Sequence, residues 1–290
     1  MPAQSANIAT SNPERLFSKN LFVSDFYEIK HWSYELPATQ PPLDGFNDCL
    51  CLVYVKKGNF SFDLSVKKHE LHSGYILLEK PGCDYRMRPS AGAITIFNFT
   101  DHFRQQFVTD MQLEQAYFFG NQNLLSVILQ STPVADYLHH QAVNKLNTAG
   151  KLEMDTLVIE LFSEAAAIIT NHSATANIPV VSKANRLTTV ELAKEYMNTH
   201  FSTDISLQEV AVNSCISPFH FSRLFKKITS FSPHQYLQQV RLKHAELLLK
   251  NSKLPVTDIA YASGFSSTAY FATAFKHHYK LAPSQYRRMN

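Results

Sequence analysis

Two stretches near the C-terminus, Leu207–Phe225 (LQEVAVNSCISPFHFSRLF) and Val256–Phe275 (VTDIAYASGFSSTAYFATAF), repeat one another. Each opens with a short amphipathic helix carrying Ala at the same place, Ala211 and Ala260. A tight turn follows, Ser214-Cys215-Ile216 or Ser263-Gly264-Phe265, then a serine read as N-cap, Ser217 or Ser266, and a second helix. Pro218 stands at the first helical position, where its missing N–H costs nothing. The second copy carries one extra residue, placed after its cap. Within the second helices, Phe221, Leu224, Phe225 and Ile228 recur at core spacing, as do Phe271, Ala274, Phe275 and His278. The outward positions are polar and basic. Helix, short turn and helix with such a face is the helix-turn-helix pattern, whose second helix enters the DNA major groove.

Between the copies, Pro233–Lys250 reads as one helix. Its roughly 18 residues span about 27 Å, near the ~34 Å of one DNA turn, so it can set two reading heads in successive grooves. Charge supports this. The whole chain of 290 residues is only +3, yet residues 1–182 hold 13 Lys+Arg against 18 Asp+Glu, and residues 183–290 hold 14 against 6. A −5 half thus precedes a +8 half, the pattern of an acidic domain joined to a reader of a polyanion.

The segment from Leu187 to Arg288 resembles the DNA-binding domain of the AraC/XylS transcriptional regulators. Ile259-Ala260, Gly264-Phe265-Ser266-Ser267, Tyr270-Phe271, Phe275-Lys276 and Pro283-Ser284-Gln285-Tyr286-Arg287-Arg288 carry the resemblance. Leu207, Ala211, Ser217-Pro218, Phe225-Lys226-Lys227, Ser232-Pro233, Tyr236, Arg241, Ala245 and Leu247–Leu249 extend it, over about a third of the chain. Cys215 departs from it, standing where the family commonly has Gly. The resemblance implies base contacts from Phe219, Ser222 and Arg223 in the first recognition helix and from Ala269, Tyr270 and Thr273 in the second. Arg223 can bridge guanine O6 and N7. Lys226, Lys227, Arg241, Lys276, Arg287 and Arg288 are assigned to phosphates, which fix register without reading sequence.

The N-terminal half reads differently. Residues 1–20, rich in Ser, Asn, Ala and Pro, are expected to be a flexible tail. Cys49–Val55 and Phe60–Val66, separated by Lys56-Lys57-Gly58-Asn59, give a hairpin signal; Tyr75–Leu78, a Pro81-Gly82 turn and Ile94–Phe99 follow. Helical periodicity begins near Asp101, and Pro133–Asn147 and Leu152–Thr170 read as helices. The fold class expected is α+β in two domains. A cupin-like antiparallel β-barrel with trailing helices covers 21–170, a linker 171–186, and an all-α double helix-turn-helix domain 187–290. The short strands by themselves suggest a small antiparallel barrel or sandwich; the cupin-like barrel and its sensing and dimerising roles are implied by the family resemblance. Inward strand positions line pockets in small barrels, which makes Trp32, Tyr34, Tyr54, Phe62, Tyr75, Tyr85 and Arg86 effector-pocket candidates. The doubled apolar stripe of Leu152–Thr170 favours a second contact, onto the barrel or onto another subunit; of the two, a homodimer through Leu157, Leu161, Ala165 and Ile168 is preferred, in keeping with the family's usual dimerisation.

Other chemistries lack their residues. His69, Glu70 and His72, or His139-His140, do not make a workable metal set, and no metal or cofactor is expected. Nucleophile-elbow, phosphate-loop, dinucleotide and H-E-x-x-H motifs are absent, so no enzyme activity is expected. Cys49 and Cys51 share one strand face; two small core residues are a commoner explanation of them than a thiol sensor. Four cysteines, a polar N-terminus and no apolar run of about 18 residues suit a cytoplasmic protein without a membrane span. The reading is a transcription regulator, an activator by family habit, with double-stranded DNA and RNA polymerase as partners. Its control falls to a small-molecule effector or, alternatively, to a regulatory protein. A cupin-type enzyme with a basic accessory domain is the remote alternative.

Overall fold

The computed structural model describes residues 16–64, 67–171, 184–214 and 216–289. Chain contacts divide these into two compact units, one of residues up to Ser131 with Gln141–Thr188, the other of Thr132–His140 with Thr189 onward. The first is built on strands β1 (Leu16–Val23), β2 (Tyr27–Glu35), β3 (Leu43–Asn47), β4 (Leu50–Leu64), β5 (Lys67–His72), β6 (Tyr75–Glu79), β7 (Cys83–Met87), β8 (Ala91–Phe99) and β9 (Ser126–Gln130). Helix α1 (Asp101–Asp110) precedes β9, and α2 (Pro133–Asn144) and α3 (Lys151–Asn171) follow it. The remaining helices are α4 (Ala184–His200), α5 (Leu207–Asn213), α6 (Pro218–Thr229), α7 (Pro233–Asn251), α8 (Val256–Ala262), α9 (Thr268–Tyr279) and α10 (Pro283–Met289).

The sheet is antiparallel, with a main path β1-β2-β8-β4-β6-β9 and with β5, β7 and β3 branching from the far half of β4. Among the described residues nothing pairs β1 with β9, so the sheet is not closed and the expected cupin-like barrel is not found. The expected hairpin is corrected too. Residues 50–64 are one strand that runs through Lys56–Asn59. Its first half pairs with β6 and β8, its second with β5 and β7. The change of partners falls at a bulge between Val55 and Lys57. There Gly58, at φ +71°, comes so close to β8 that a Cβ would lie 2.3 Å from the Ala91 carbonyl oxygen. Turn-like residues here bend a strand between two pairing partners.

Alternation divides the side chains. Trp32, Cys51, Val53, Phe60, Leu77 and Ile94 pack into one core. Phe99 meets the helices, where Phe162 of α3 sits among Phe99, Phe103 and Phe107 with ring centroids 4.6–5.7 Å away. Leu157, Leu161 and Ala165 are likewise 5% exposed or less within the chain itself. That corrects their assignment to a dimer contact: the doubled stripe serves the protein's own core. Ile168 is half-buried. Of the expected tail, residues 1–15 lie outside the described residues, and Leu16–Asn20 belong to β1. Most of the expected linker, 172–183, also lies outside them, while α4 already begins at Ala184.

Candidate nucleic-acid interface

Both helix-turn-helix units are assembled from local signals. In the first, Ser206 caps α5 in a reciprocal box with Glu209: the Glu209 N–H donates to Ser206 Oγ, and the Ser206 N–H to Glu209 Oε2. Those bonds hold the Glu209 carboxyl below its ordinary range. Val210, Ala211, Phe221, Phe225 and Ile228 are buried, and the Phe225 ring meets Tyr236 of α7 edge-on at 5.3 Å. In the second unit Ile259, Ala260, Phe265, Phe271, Ala274 and Phe275 close over Leu242, Ala245 and Leu249 of α7. Leu224 is half-buried and His278 exposed, so these two positions of the expected stripe stand outside the core.

The second cap is Ser267 and not Ser266; its Oγ accepts from the Tyr270 N–H at 3.4 Å. The extra residue of the second copy therefore lies before the cap. The turn of that copy depends on Gly264, at φ +80°, against which a Cβ would meet the Phe201 carbonyl oxygen at 2.3 Å. Cys215, the corresponding position of the first copy, lies outside the described residues. The repeat also continues beyond Phe225 and Phe275. Ser230 and Lys280 end α6 and α9 in the left-handed conformation, at φ 67° and 64°. Pro233, Gln235 and Tyr236 then match Pro283, Gln285 and Tyr286, and each Gln side chain accepts from the backbone N–H three residues before it. A constant step of fifty residues was visible in the sequence as the signal for this.

Of the candidate base readers, Phe219 is 70% exposed and Tyr270 46%. Arg223, Ala269 and Thr273 are exposed, and Ser222 is half-buried. The Arg223 guanidinium lies over the Phe219 ring at 5.5 Å, which joins two of the readers into one surface. Tyr270 accepts from Gln238 Nε2 at 2.7 Å, a fixing contact from α7 that sequence reading missed. Thr273 Oγ1 donates to the Ala269 carbonyl. Lys226, Lys227, Lys276 and Arg288 are exposed. The other two phosphate candidates are half-buried and bonded to backbone carbonyls. Arg241 donates from Nε to the Phe201 carbonyl at 2.7 Å and from Nη2 to that of Thr203 at 2.8 Å, clamping α7 to the chain after α4. Arg287 donates to the Leu254 carbonyl at 2.6 Å, while Tyr286 donates to the buried Glu246 carboxylate. Both arginines hold the domain together.

The pocket candidates separate as well. Trp32 and Tyr85 line a cavity of about 120 Å³ in the first unit, with Lys30, Glu79, Asn98, Val53, Phe60 and Ile96 among its other walls. Tyr34 and Tyr54 are buried and bonded to the Asn59 carbonyl and Ser131. Phe62 stacks between Phe60 and His69, and Tyr75 meets His72. Arg86 pairs with Asp44 on the surface, beside a second groove. Glu79 was missed, although a lone acidic residue closing the apolar run Tyr75–Glu79 signals it. Burial raises its carboxyl to about 7, and burial pushes the Cys49 and Cys83 thiols up to about 12, away from thiolate reactivity. No cluster suited to a metal ion occurs among the described residues.

Two tandem units of this geometry, each with an exposed second helix, define a helix-turn-helix protein. Residues 210–289 match the family described as "Helix-turn-helix domain". The regulatory protein PocR of Salmonella typhimurium is 33% identical over 38% of this chain and 39% of its own length. The HTH-type transcriptional regulator YdeC of Bacillus subtilis is 22% identical over 84% of this chain and 86% of its own. Among solved structures, the C-terminal domain of AraT, a response regulator from Geobacillus stearothermophilus, is 36% identical over 35% of this chain and 85% of that one, with a TM-score of 0.34. The C-terminal unit is an AraC-type helix-turn-helix domain. This chain spans well under half of PocR.

Proposed function

We propose that this protein is a sequence-specific DNA-binding transcription regulator. The observation that carries the reading is the pair of exposed helices, α6 and α9, presented by equivalent turns in a segment of net charge +8. In it Phe219, Ser222, Arg223, Ala269, Tyr270 and Thr273 face base edges, and Lys226, Lys227, Lys276 and Arg288 meet phosphates. Helix α7, with 19 residues and a length of about 28 Å, sets the two reading helices apart.

The family resemblance extends the proposal to activation of transcription, with RNA polymerase as partner in a cytoplasmic setting. PocR and YdeC, both named as regulators, support a binding protein over an enzyme. The cavity beside Trp32 supports control by a small molecule bound in the N-terminal unit. Among the described residues no helix is long and apolar enough to cross a membrane. The decisive experiment titrates the full chain with duplex DNA at several salt concentrations. Counterion release makes log affinity fall linearly with log salt, and a flat line would remove the DNA reading.

A further inference from the structure

The cavity of the first unit contains a carboxyl group that no contact in the fold neutralises. Glu79, at the end of β6, is 4% exposed. Its oxygens accept from Cys51 Sγ at 3.5 Å and Cys83 Sγ at 3.7 Å, and no cation pairs with it among the described residues. Thiols are weak donors, and burying a carboxylate without a strong partner is costly. Lys30 lines the same space, but its ammonium is held by Glu28 at 2.5 Å, and Glu28 also accepts from Asn98. Trp32, 7% exposed, forms another wall, and its indole N–H is buried without an acceptor. The remaining walls include Val53, Phe60, Ile94 and Ile96, and the exposed Asp48 adds a negative charge at the opening.

These features set three requirements on an occupant: a cation for Glu79, an apolar body for the walls, and a hydrogen-bond acceptor for Trp32. A space of about 120 Å³ is near the size that admits a single ring. We infer that the cavity binds a small primary ammonium compound with an apolar or aromatic body and a hydroxyl or similar acceptor, its ammonium paired with Glu79. An anionic ligand of the same size is excluded by Glu79 and Asp48, because Lys30 is already paired. The inference deepens the effector reading above and rests on it.

Trp32 is the one tryptophan in the chain, so its fluorescence reports directly on the cavity. The full chain is titrated with 2-amino-1-phenylethanol, with 3-phenylpropionate as the anionic contrast. The expected result is a saturable change in emission with the amine and none with the acid. Glu79→Gln, checked for folding by circular dichroism, weakens the amine at least tenfold. Absence of a saturable response to the amine, an equal response to the acid, or unchanged affinity in a folded Glu79→Gln protein overturns the inference. The contrast between amine and acid decides the matter on the wild-type chain even when the variant is unstable. Duplex titration of the same preparation separates the two readings. Salt-dependent DNA binding with no Trp32 response overturns the ligand class alone, and a saturable response without DNA binding overturns the regulator reading alone.

Discussion

Arg223 follows Phe219 by one helical turn, and the stacking of its guanidinium on that ring holds the fork in place while leaving it exposed. A planar fork so held suits bidentate contact with guanine. Arg223→Ala is expected to lower specific affinity by about 1–3 kcal/mol and to relax discrimination at one base position. A titration against single-base operator variants at fixed salt checks this; unchanged discrimination would reassign the residue. Glu79 makes a separate prediction about stability. Folding raises its carboxyl from 4.5 to about 7, so between those values the folded chain holds the proton more tightly than the unfolded chain. Stability from this group is therefore greatest below pH 4.5 and falls as pH rises through about 7, by about 3 kcal/mol at ~1.36 kcal/mol per unit. In Glu79→Gln that fall is absent, which denaturant melts across pH 4.5–8 would show.

At the scale of elements, α2 is divided in its allegiance, and its first half is part of the DNA-binding unit. Asp136 accepts from Lys194 Nζ at 2.6 Å and from Tyr236 Oη at 3.1 Å, and Asn198 donates to the same tyrosine. Asp136 and Lys194 are both under 9% exposed. Asp136→Ala strands a buried ammonium, at a cost of about 3–5 kcal/mol, and a thermal melt of the full chain should register it. Gly264→Ala acts on a turn: the positive φ alone costs about 1–2 kcal/mol, and the added Cβ also strikes the Phe201 carbonyl. A variant as stable as the parent would sink that account. The tandem turns were legible in the sequence because caps, glycine and apolar spacing act within a few residues of one another. The course of β4 was not, since Lys56–Asn59 has turn composition and only the distant partners β5, β6, β7 and β8 reveal a bend. Leu157, Leu161 and Ala165 show the same limit. Periodicity reports that a stripe is covered, and the covering surface here, the chain's own core, is set by segments far away in sequence.

For the whole molecule, the charge split predicts more than DNA affinity, because the structure alters how many cations are available for phosphates. Arg241 and Arg287 spend their guanidinium groups on backbone carbonyls. Lys226, Lys227, Lys276 and Arg288 remain exposed. At about −0.9 per phosphate contact, four such residues give a slope of log affinity on log salt near −3.6, where six would give about −5.4. The two classes of residue respond differently to substitution. Lys226→Ala should make the slope shallower by about one unit and weaken all duplexes alike, with the melting temperature unchanged. Arg241→Gln should leave the slope intact and lower the melting temperature, since it releases the clamp between α7 and the carbonyls of Phe201 and Thr203. A shallower slope with an unchanged melt in Arg241→Gln would return that residue to the phosphate contacts. The basic half thus uses part of its charge inside the domain, and its salt dependence should be smaller than a count of its arginines and lysines suggests.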